Sequence, residues 1–127
     1  MANKFKSTRF AAEELAELLG EALGSPIPIV ETPQAGCTPI YLGLGAENSG
    51  LDAAKLSRDA FFIVVKDGAI RIAGEDDPKI DTRKEIQKGG AWGNWHERGT
   101  VFGVYEFLER FADCRFYLPG PMGTIIP

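Results

Sequence analysis

The segment 98–120 constrains the fold of this chain more than any other stretch of its sequence. Within it, apolar side chains recur at the spacing i, i+3, i+4, i+7, at Val101, Val104, Tyr105, Leu108, Phe111 and Ala112. This spacing places them on one face, so residues 101–112 are predicted to form an amphipathic helix. Phe102 and Phe107 lie on other faces, and the helix therefore needs cover on more than one side. We expect some of this extra apolar surface to be left for a partner.

Two residues of the same segment indicate where the helix packs and where it ends. Gly103 lies in its middle, where glycine costs about 1 kcal/mol relative to alanine, and this predicts the close approach of a neighbouring backbone. Asp113 follows the last periodic residue, and aspartate tolerates the left-handed conformation that ends many helices. Residues 114–118 are then predicted to form a short strand, which ends at Pro119-Gly120.

This segment also carries a resemblance to a known family. The run GTVFGVYEFLE at 99–109, followed by Cys114-Arg115-Phe116 and Pro119-Gly120, resembles the end of the N-terminal domain of alpha-glucuronidases of glycoside hydrolase family 67. It is similar as well to a related accessory domain of large bacterial proteins. The chain departs from the family pattern at Asp113, where glycine is usual, and at Phe116, where tryptophan is common.

The resemblance extends beyond this segment. Residues 11–19 and 26–29 match the start of the family's domain, whereas residues 75–97 have no counterpart in the pattern. The apolar residues 124–127 lie where family members continue into a catalytic barrel.

The resemblance implies a fold and a function. The implied fold is α+β, with a mixed β-sheet and both long helices packed on one face, similar to domain 2 of beta-hexosaminidases. It would be zincin-like without a metal site. The implied function is that of a non-catalytic accessory domain of a bacterial glycoside hydrolase, bracing a catalytic barrel absent from this chain. The expected partner is therefore the downstream catalytic domain of the same polypeptide.

Composition bounds the class of protein. A chain of 127 residues with 44% hydrophobic and 25% charged residues is typical of one globular domain, spanning 1–127. The formal net charge of -4 argues against a nucleic-acid surface, which needs clustered lysine and arginine. No apolar stretch approaches the ~20 residues that span a bilayer, and residues 1–10 lack the apolar core of a signal peptide. We therefore expect a soluble domain without nucleic-acid or membrane partners.

The first half of the chain is predicted to alternate helix and strand. Ser7 or Thr8 is the expected N-cap of a helix that ends at Gly24. A short strand is expected at residues 27–30. Residues 39–44 show little polar alternation, which favours a central strand buried on both faces.

A hairpin is the clearest local signal in the middle of the chain. The Asp67-Gly68 pair separates two apolar runs at 60–66 and 69–73, and this arrangement is typical of adjacent antiparallel strands. Before it, residues 51–58 are predicted to contain a helical turn. The order of these elements favours an α+β domain.

Residues 75–97 are predicted to form a long polar loop, and loops of this length are usually functional. Trp92 and Trp95 lie near its end among glycines. A tryptophan there can stack on a sugar ring or fill a pocket of a neighbouring domain, because it buries a large rigid surface. The alternative is that both tryptophans cover the core of this domain.

Candidate catalytic and metal-binding groups are sparse. His96 is the only histidine, and it precedes Glu97 as in the H-E-x-x-H zinc motif, but position 100 is Thr100 rather than a second histidine. Cys37 and Cys114 have no metal-ligand spacing, and whether they pair stays open. The sequence therefore predicts no metal, no cofactor and no Cys-His nucleophile.

Two other kinds of site have only partial signals in the sequence. The Gly-x-Gly at 43–45 lacks the third small residue of a dinucleotide motif, and no pair of carboxyls is placed for glycoside hydrolysis. Arg98 and the first N–H groups of its helix could bind an anion, or Arg98 could form a salt bridge to a neighbouring domain.

The expected interdomain or sugar contacts are therefore Trp92, Trp95, His96 and Arg98. We expect the chain alone not to be an enzyme. Two alternatives to the accessory domain stay open. One is a free-standing carbohydrate-binding module that uses Trp92 and Trp95, and the other is a small enzyme with a site near His96 and Glu97.

Overall fold

A computed structural model describes residues 6–88 and 96–127 of the chain. In this part the elements are α1 Lys6–Leu23, β1 Ile40–Leu42, β2 Phe61–Lys66, β3 Ala69–Gly74, α2 Thr82–Gln87, α3 Gly99–Phe111, β4 Arg115–Phe116 and β5 Thr124–Ile125. Single 3₁₀ turns occur at Ala46–Asn48, Ala53–Lys55 and Pro121–Gly123.

The main sheet has three strands in the order β1-β3-β2, with β1 parallel and β2 antiparallel to β3. Ile72 of β3 pairs with Leu42 on one side and with Ile63 on the other, so these side chains share one face of the sheet. Helix α3 packs against β2 and β3, and α1 packs against α3 and contacts β1. The predicted α+β class with a mixed sheet is thus confirmed for the described residues.

The core lies between this face and the two long helices. Its buried members come mainly from α1, β3 and α3, and they are Phe10, Ala11, Leu15, Leu19, Ile72, Val101, Val104, Phe107, Leu108 and Cys114. Val101, Val104 and Leu108 follow the predicted helical period, which confirms that helix, whereas Phe111 of the predicted face is 66% exposed. Phe107, which we expected to leave surface for a partner, is instead buried in this core.

The hairpin prediction is also confirmed. Lys66 pairs with Ala69 across the turn. Asp67 and Gly68 have φ angles of 53° and 70°, respectively. Positive φ at both central residues defines the type I′ turn, whose twist matches that of the flanking strands.

The prediction of a central strand at residues 39–44 is wrong, because β1 is an edge strand and β3 is central. The apolar run has a different cause. Ile40 and Leu42 pack against the core, while Tyr41 on the other face lies under the guanidinium of Arg71, 5.0 Å from the ring centroid. A strand covered on both faces by such contacts shows no polar alternation even at a sheet edge.

The strand predicted at residues 27–30 is absent, since these residues form no ladder in the described chain. Pro28 cannot donate a backbone hydrogen bond, which disfavours pairing. Ile27 packs against the core, whereas Ile29 and Val30 are exposed. The apolar residues here anchor an extended connection instead of a strand.

Two further boundaries differ from prediction. Ser7 and Thr8 do not cap α1; they lie inside its first turn and are buried. Residues 75–97 are not one loop, because they contain α2, whose N-cap Asp81 accepts a hydrogen bond from the Lys84 amide.

Glycines set the close packing of α3, though not as predicted. A Cβ atom added at Gly103 would lie 2.7 Å from Cγ2 of Ile72, so a side chain, and not a backbone, lies against this glycine. The close backbone approach occurs one turn earlier. A Cβ atom added at Gly99 would lie 2.9 Å from the Cα of Gly74. After the helix, Asp113 has φ 58°, the left-handed conformation expected there.

Candidate functional site

A buried polar network joins the N-terminal ends of α1 and α3. It also includes Asp76, which follows β3, and Thr82 at the start of α2. The side chains of five members are 0–3% exposed, and they are Ser7, Thr8, Thr82, His96 and Thr100. Buried polar groups in proteins are nearly always hydrogen-bonded. The partners of each group in the network therefore indicate whether its role is structural or chemical.

Asp76 holds the two long helices together. Its Oδ1 accepts a hydrogen bond from the backbone amide of Thr100 at 3.1 Å, and its Oδ2 accepts one from Oγ1 of Thr8 at 2.7 Å. The first contact caps α3, since the amides of a first helical turn have no partner within the helix. A carboxylate at this end is also favoured by the helix dipole.

The chain entering α3 is fixed by backbone contacts as well. Asp76 and Arg98 form an isolated antiparallel bridge. The amide of Gly99 donates to the Glu75 carbonyl at 2.8 Å, and the amide of Asp77 donates to the Glu97 carbonyl at 2.8 Å. Thr100 adds a side-chain link, because its Oγ1 accepts from the Gly74 amide at 3.1 Å.

His96 lies at the end of a chain of hydroxyl groups. Oγ1 of Thr82 donates to Oγ of Ser7 at 2.7 Å, and Ser7 donates in turn to the Ile80 carbonyl at 3.3 Å. Nε2 of His96 is 3.0 Å from Oγ1 of Thr82. A threonine hydroxyl has one proton, and here Ser7 receives it, so this arrangement assigns the proton of the third contact to Nε2.

Burial and hydrogen bonding act in opposite directions on Asp76. Burial raises the pKa of its carboxyl group, while the hydrogen bonds from Thr100 and Thr8 and the charge of His96 lower it, and the net shift is upward. Desolvation is therefore the larger effect, and the carboxyl group of Asp76 ionises less readily than that of an exposed aspartate.

The network combines a hydroxyl, an imidazole and a carboxyl, yet its geometry favours a structural role. Ser7 contacts Thr82 and not His96, and its hydroxyl already donates to a carbonyl. Ser7 is also fully buried. A nucleophile must be adjacent to its base and reachable by substrate, and Ser7 meets neither condition.

The predicted contact residues are separated by the structure. His96 is buried in the network, whereas the guanidinium of Arg98 lies over the ring of Phe102, 5.3 Å from its centroid. At the start of α3, the amides of Gly99 and Thr100 already donate to the Glu75 carbonyl and to Asp76. Trp92 and Trp95 lie outside the described residues.

Metal and thiol chemistry find no support in the part of the chain that is described. No group of three or more histidine, cysteine, aspartate or glutamate residues among residues 6–88 and 96–127 is placed to hold a metal ion. Cys37 is exposed and Cys114 is buried, and both are free thiols. Burial raises the pKa of Cys114, which disfavours the reactive thiolate.

An apolar surface follows α3 at the C-terminal ribbon, the antiparallel pair β4–β5 with its turn at residues 117–123. Phe116 and Ile126 pack against the core. Along the ribbon, exposed side chains are Tyr117 at 70%, Leu118 at 68%, Met122 at 100% and Ile125 at 53%. Three of these exposed side chains lie in the turn and the fourth, Ile125, pairs with Arg115 in the strands. We call the four exposed side chains together the outward apolar face of the ribbon.

A second surface feature is a groove along α3. Its residues are three aromatic and three acidic side chains, namely Asp59, Phe61, Phe102, Tyr105, Glu106 and Glu109. The groove has a volume of about 360 Å³. Tyr105 is fixed at its base, because its hydroxyl donates to Oε2 of Glu14 at 2.7 Å and its ring contacts Phe116 edge to face.

Sequence reasoning missed both the network and the groove. The sequence predicts Ser7 or Thr8 as a cap and gives Thr100 no structural role, although a hydroxyl within an apolar helix face is itself a signal of a buried partner. The groove could have been found from Phe102, Tyr105, Glu106 and Glu109, which share one stripe of α3 by their i, i+3, i+4, i+7 spacing.

Comparison of the chain with protein-family models, with curated proteins and with solved structures finds no match. Among the described residues, no helix is both long and apolar enough to cross a bilayer. The function must therefore be argued from the residues and their geometry.

Proposed function

We propose that this chain is a non-catalytic accessory domain of an alpha-glucuronidase-like glycoside hydrolase, in which it braces a catalytic barrel of the same polypeptide. Its fold would be that of domain 2 of beta-hexosaminidases. The motif at 99–109 and the ending at 114–120 motivate the family. The outward apolar face of the C-terminal ribbon is the observation that carries the docking role.

The ribbon face is suited to contact with a second domain. Tyr117, Leu118 and Met122 are all more than two-thirds exposed, although each is large and apolar or aromatic. Burying apolar surface contributes about 25 cal/mol per Å², and exposed apolar patches mark interaction sites when they cluster. A domain tethered in the same chain would dock without the full entropic cost of bimolecular association.

The buried network supports a non-catalytic role for this part of the protein. His96 and Asp76 are the groups with the chemistry for acid–base work, and both are engaged in holding α1, α2 and α3 together. These hydrogen bonds fix the three helices relative to one another, as expected of a domain that braces another domain.

The direct test is the coding sequence that follows the codon for Pro127. The proposal expects an open frame that continues into a (β/α)₈ barrel. A stop codon at that position would contradict the proposal, because the barrel would then have to come from another chain.

A second test uses the purified chain. It should hydrolyse no aryl glucuronoside or other aryl glycoside, and turnover that follows the pure protein and disappears in Glu97→Gln would contradict this. Glycan-array and calorimetric titration should show no saturable sugar binding. Saturable binding that Trp92→Ala or Trp95→Ala abolishes would instead establish the carbohydrate-binding module.

A further inference from the structure

Strand β2 lies at an open edge of the main sheet. It pairs with β3 on one side, and no strand of the described chain pairs with its other side. Natural sheets protect their edges with short strands, proline, charged side chains or bulges. The opposite edge strand, β1, is short, with three residues, whereas β2 has six, which read FFIVVK. Its register with β3 is continuous and Lys66 is its only charge, so this edge is largely unprotected.

The contacts between β1 and β3 show which backbone groups of β2 point outward. The carbonyl of Ile72 accepts a hydrogen bond from the Gly43 amide at 2.9 Å, on the β1 side of β3. In an antiparallel pair, two opposite residues either exchange both hydrogen bonds or exchange none. Ile63 lies opposite Ile72, so its amide and carbonyl groups point away from β3. Because this pattern repeats every second residue, those of Phe61 and Val65 point outward as well.

The outward backbone groups of β2 have no hydrogen-bond partner in the part of the chain that the structure describes. Such a row of donors and acceptors at a sheet edge is a site for an added strand, which main-chain hydrogen bonds hold in place. The side chains of β2 are apolar up to Val65, which is 76% exposed. The ligand that fits this edge is therefore an extended polypeptide segment with apolar side chains.

We infer that β2 pairs with β2 of a second copy of this chain, antiparallel and centred on Ile63. This register uses all three outward residues, because Ile63 faces itself and Phe61 faces Val65 of the other copy. The two-fold symmetry covers both long edges at once and closes the assembly. The two sheets then form one sheet of six strands, whose remaining edges are the short β1 strands.

The residues of β2 and its ends are complementary to a second copy. In this register, Lys66 and Asp67 of one copy lie beside Asp59 and Arg58 of the other, so each end brings opposite charges together without an excess of either sign. Between the ends every cross-strand pair is apolar. Both phenylalanines lie opposite valines, and pairs of aromatic and β-branched residues stabilise sheets. The inference does not depend on the proposed function, because β2 and the C-terminal ribbon are different surfaces.

Amide hydrogen exchange of the whole chain, followed by NMR from about 10 μM to about 1 mM, tests the pairing, since this range spans weak association. In dilute solution the Ile63 and Val65 amides should exchange fast. The Phe62 and Val64 amides, which point to β3, are the internal control and should be protected. At high concentration the Ile63 and Val65 amides should become protected too.

Sedimentation velocity of the same samples gives the mass that belongs to each exchange pattern. Ile63 and Val65 amides that exchange fast at every concentration would overturn the inference. Protection of these amides in samples that sediment as monomers would also overturn it, because another part of the same chain would then cover the edge. A parent chain that stays monomeric throughout would leave the edge to a strand of another protein and contradict the pairing of two copies.

Two variants separate this edge from the C-terminal ribbon. Val65→Lys places a charge in the contact between the copies, and it should weaken self-association at least about tenfold. The variant should still fold, because Val65 is exposed in the single chain. Leu118→Lys changes a similarly exposed side chain of the ribbon, and it should self-associate like the parent. Self-association that Leu118→Lys abolishes and Val65→Lys preserves would place the contact on the ribbon and overturn the inference.

Discussion

The two ends of α3 differ in how completely this chain satisfies its own surface. At the N-terminal end, Thr100 is fully buried and hydrogen-bonded, and Gly99 lies against Gly74. At the C-terminal end, Phe111 is 66% exposed, and Tyr117 and Leu118 in the following ribbon are exposed as well. The chain covers one end of the helix by itself, whereas apolar side chains stay exposed at the other end.

This difference predicts which substitutions should change the stability of the domain and which should not. A substitution at the N-terminal end removes packing or hydrogen bonds that exist within the domain, so it should change the free energy of unfolding. A substitution on the C-terminal ribbon changes side chains that are exposed in the domain, so it should leave the free energy of unfolding nearly unchanged.

The largest effect is expected at Gly103, where α3 packs closely against Ile72 and Phe61 of the sheet. Gly103→Leu should destabilise the domain by about 3 kcal/mol, the upper end for overpacking, because even its Cβ would lie 2.7 Å from Ile72 and 3.3 Å from Phe61. Chemical denaturation measures this cost. Gly50→Leu is the control, since a Cβ atom there meets nothing within 4 Å. A stability of Gly103→Leu unchanged from that of the parent would show that Gly103 faces open space.

Removal of the Asp76 carboxylate should cost nearly as much. Asp76→Ala leaves the Thr100 amide and the Thr8 hydroxyl without acceptors, and an unsatisfied buried group costs about 1–3 kcal/mol. We expect a loss of about 2–3 kcal/mol in urea denaturation. The exposed Asp59, changed to alanine, should leave stability within about 0.5 kcal/mol. Equal effects at the two positions would mean that the network contributes no stability.

The raised pKa of Asp76 predicts a pH dependence with a definite sign. In the window above the ordinary aspartate pKa of about 4, the folded state retains a proton that the unfolded state has released. Stability therefore falls as pH rises through this window and is highest below it. The difference in unfolding free energy between the parent and Asp76→Asn should decrease from pH 4 upward. A difference that grows with pH would show that the hydrogen bonds outweigh burial.

A smaller effect is expected at Tyr105. Its hydroxyl donates to Glu14, so Tyr105→Phe should cost about 1 kcal/mol at neutral pH. Burial and the neighbouring Glu14 raise the pKa of Tyr105, so above pH ~10, where an unfolded tyrosine ionises, the parent loses stability that the variant keeps. The difference in unfolding free energy between the parent and Tyr105→Phe should therefore be smaller above pH ~10 than at pH 7. Parallel pH profiles would contradict this assignment.

The parts of the fold that were predicted correctly depend on local chemistry. The period of α3 and the Asp67-Gly68 turn are each determined within a few residues, so the pattern alone specifies them. The edge position of β1 could not be predicted in this way, because it depends on which strands pair with β3. The same holds for the strand expected at 27–30, which has apolar residues but no partner.

The buried network shows why the candidate site was harder to predict. Thr8 and Asp76 are separated by 68 residues in sequence, and Ser7 and Thr82 by 75. A hydroxyl near a helix start is usually a cap, and the local sequence does not identify the distant segment that Ser7 and Thr8 reach. Long-range partners of this kind are visible only in the fold.

The outward face of the C-terminal ribbon gives the most direct test of the central claim, that the chain leaves this surface for a partner. The measurement is the free energy of unfolding of a triple variant, Tyr117→Ser, Leu118→Ser and Met122→Ser, determined in urea beside the parent, together with the binding of an apolar fluorescent dye. We expect a free energy of unfolding unchanged within about 0.5 kcal/mol, as for exposed positions, and a clear loss of dye binding. A loss of about 3 kcal/mol or more, as for core truncations, would show that the ribbon belongs to this domain's core and would contradict the account.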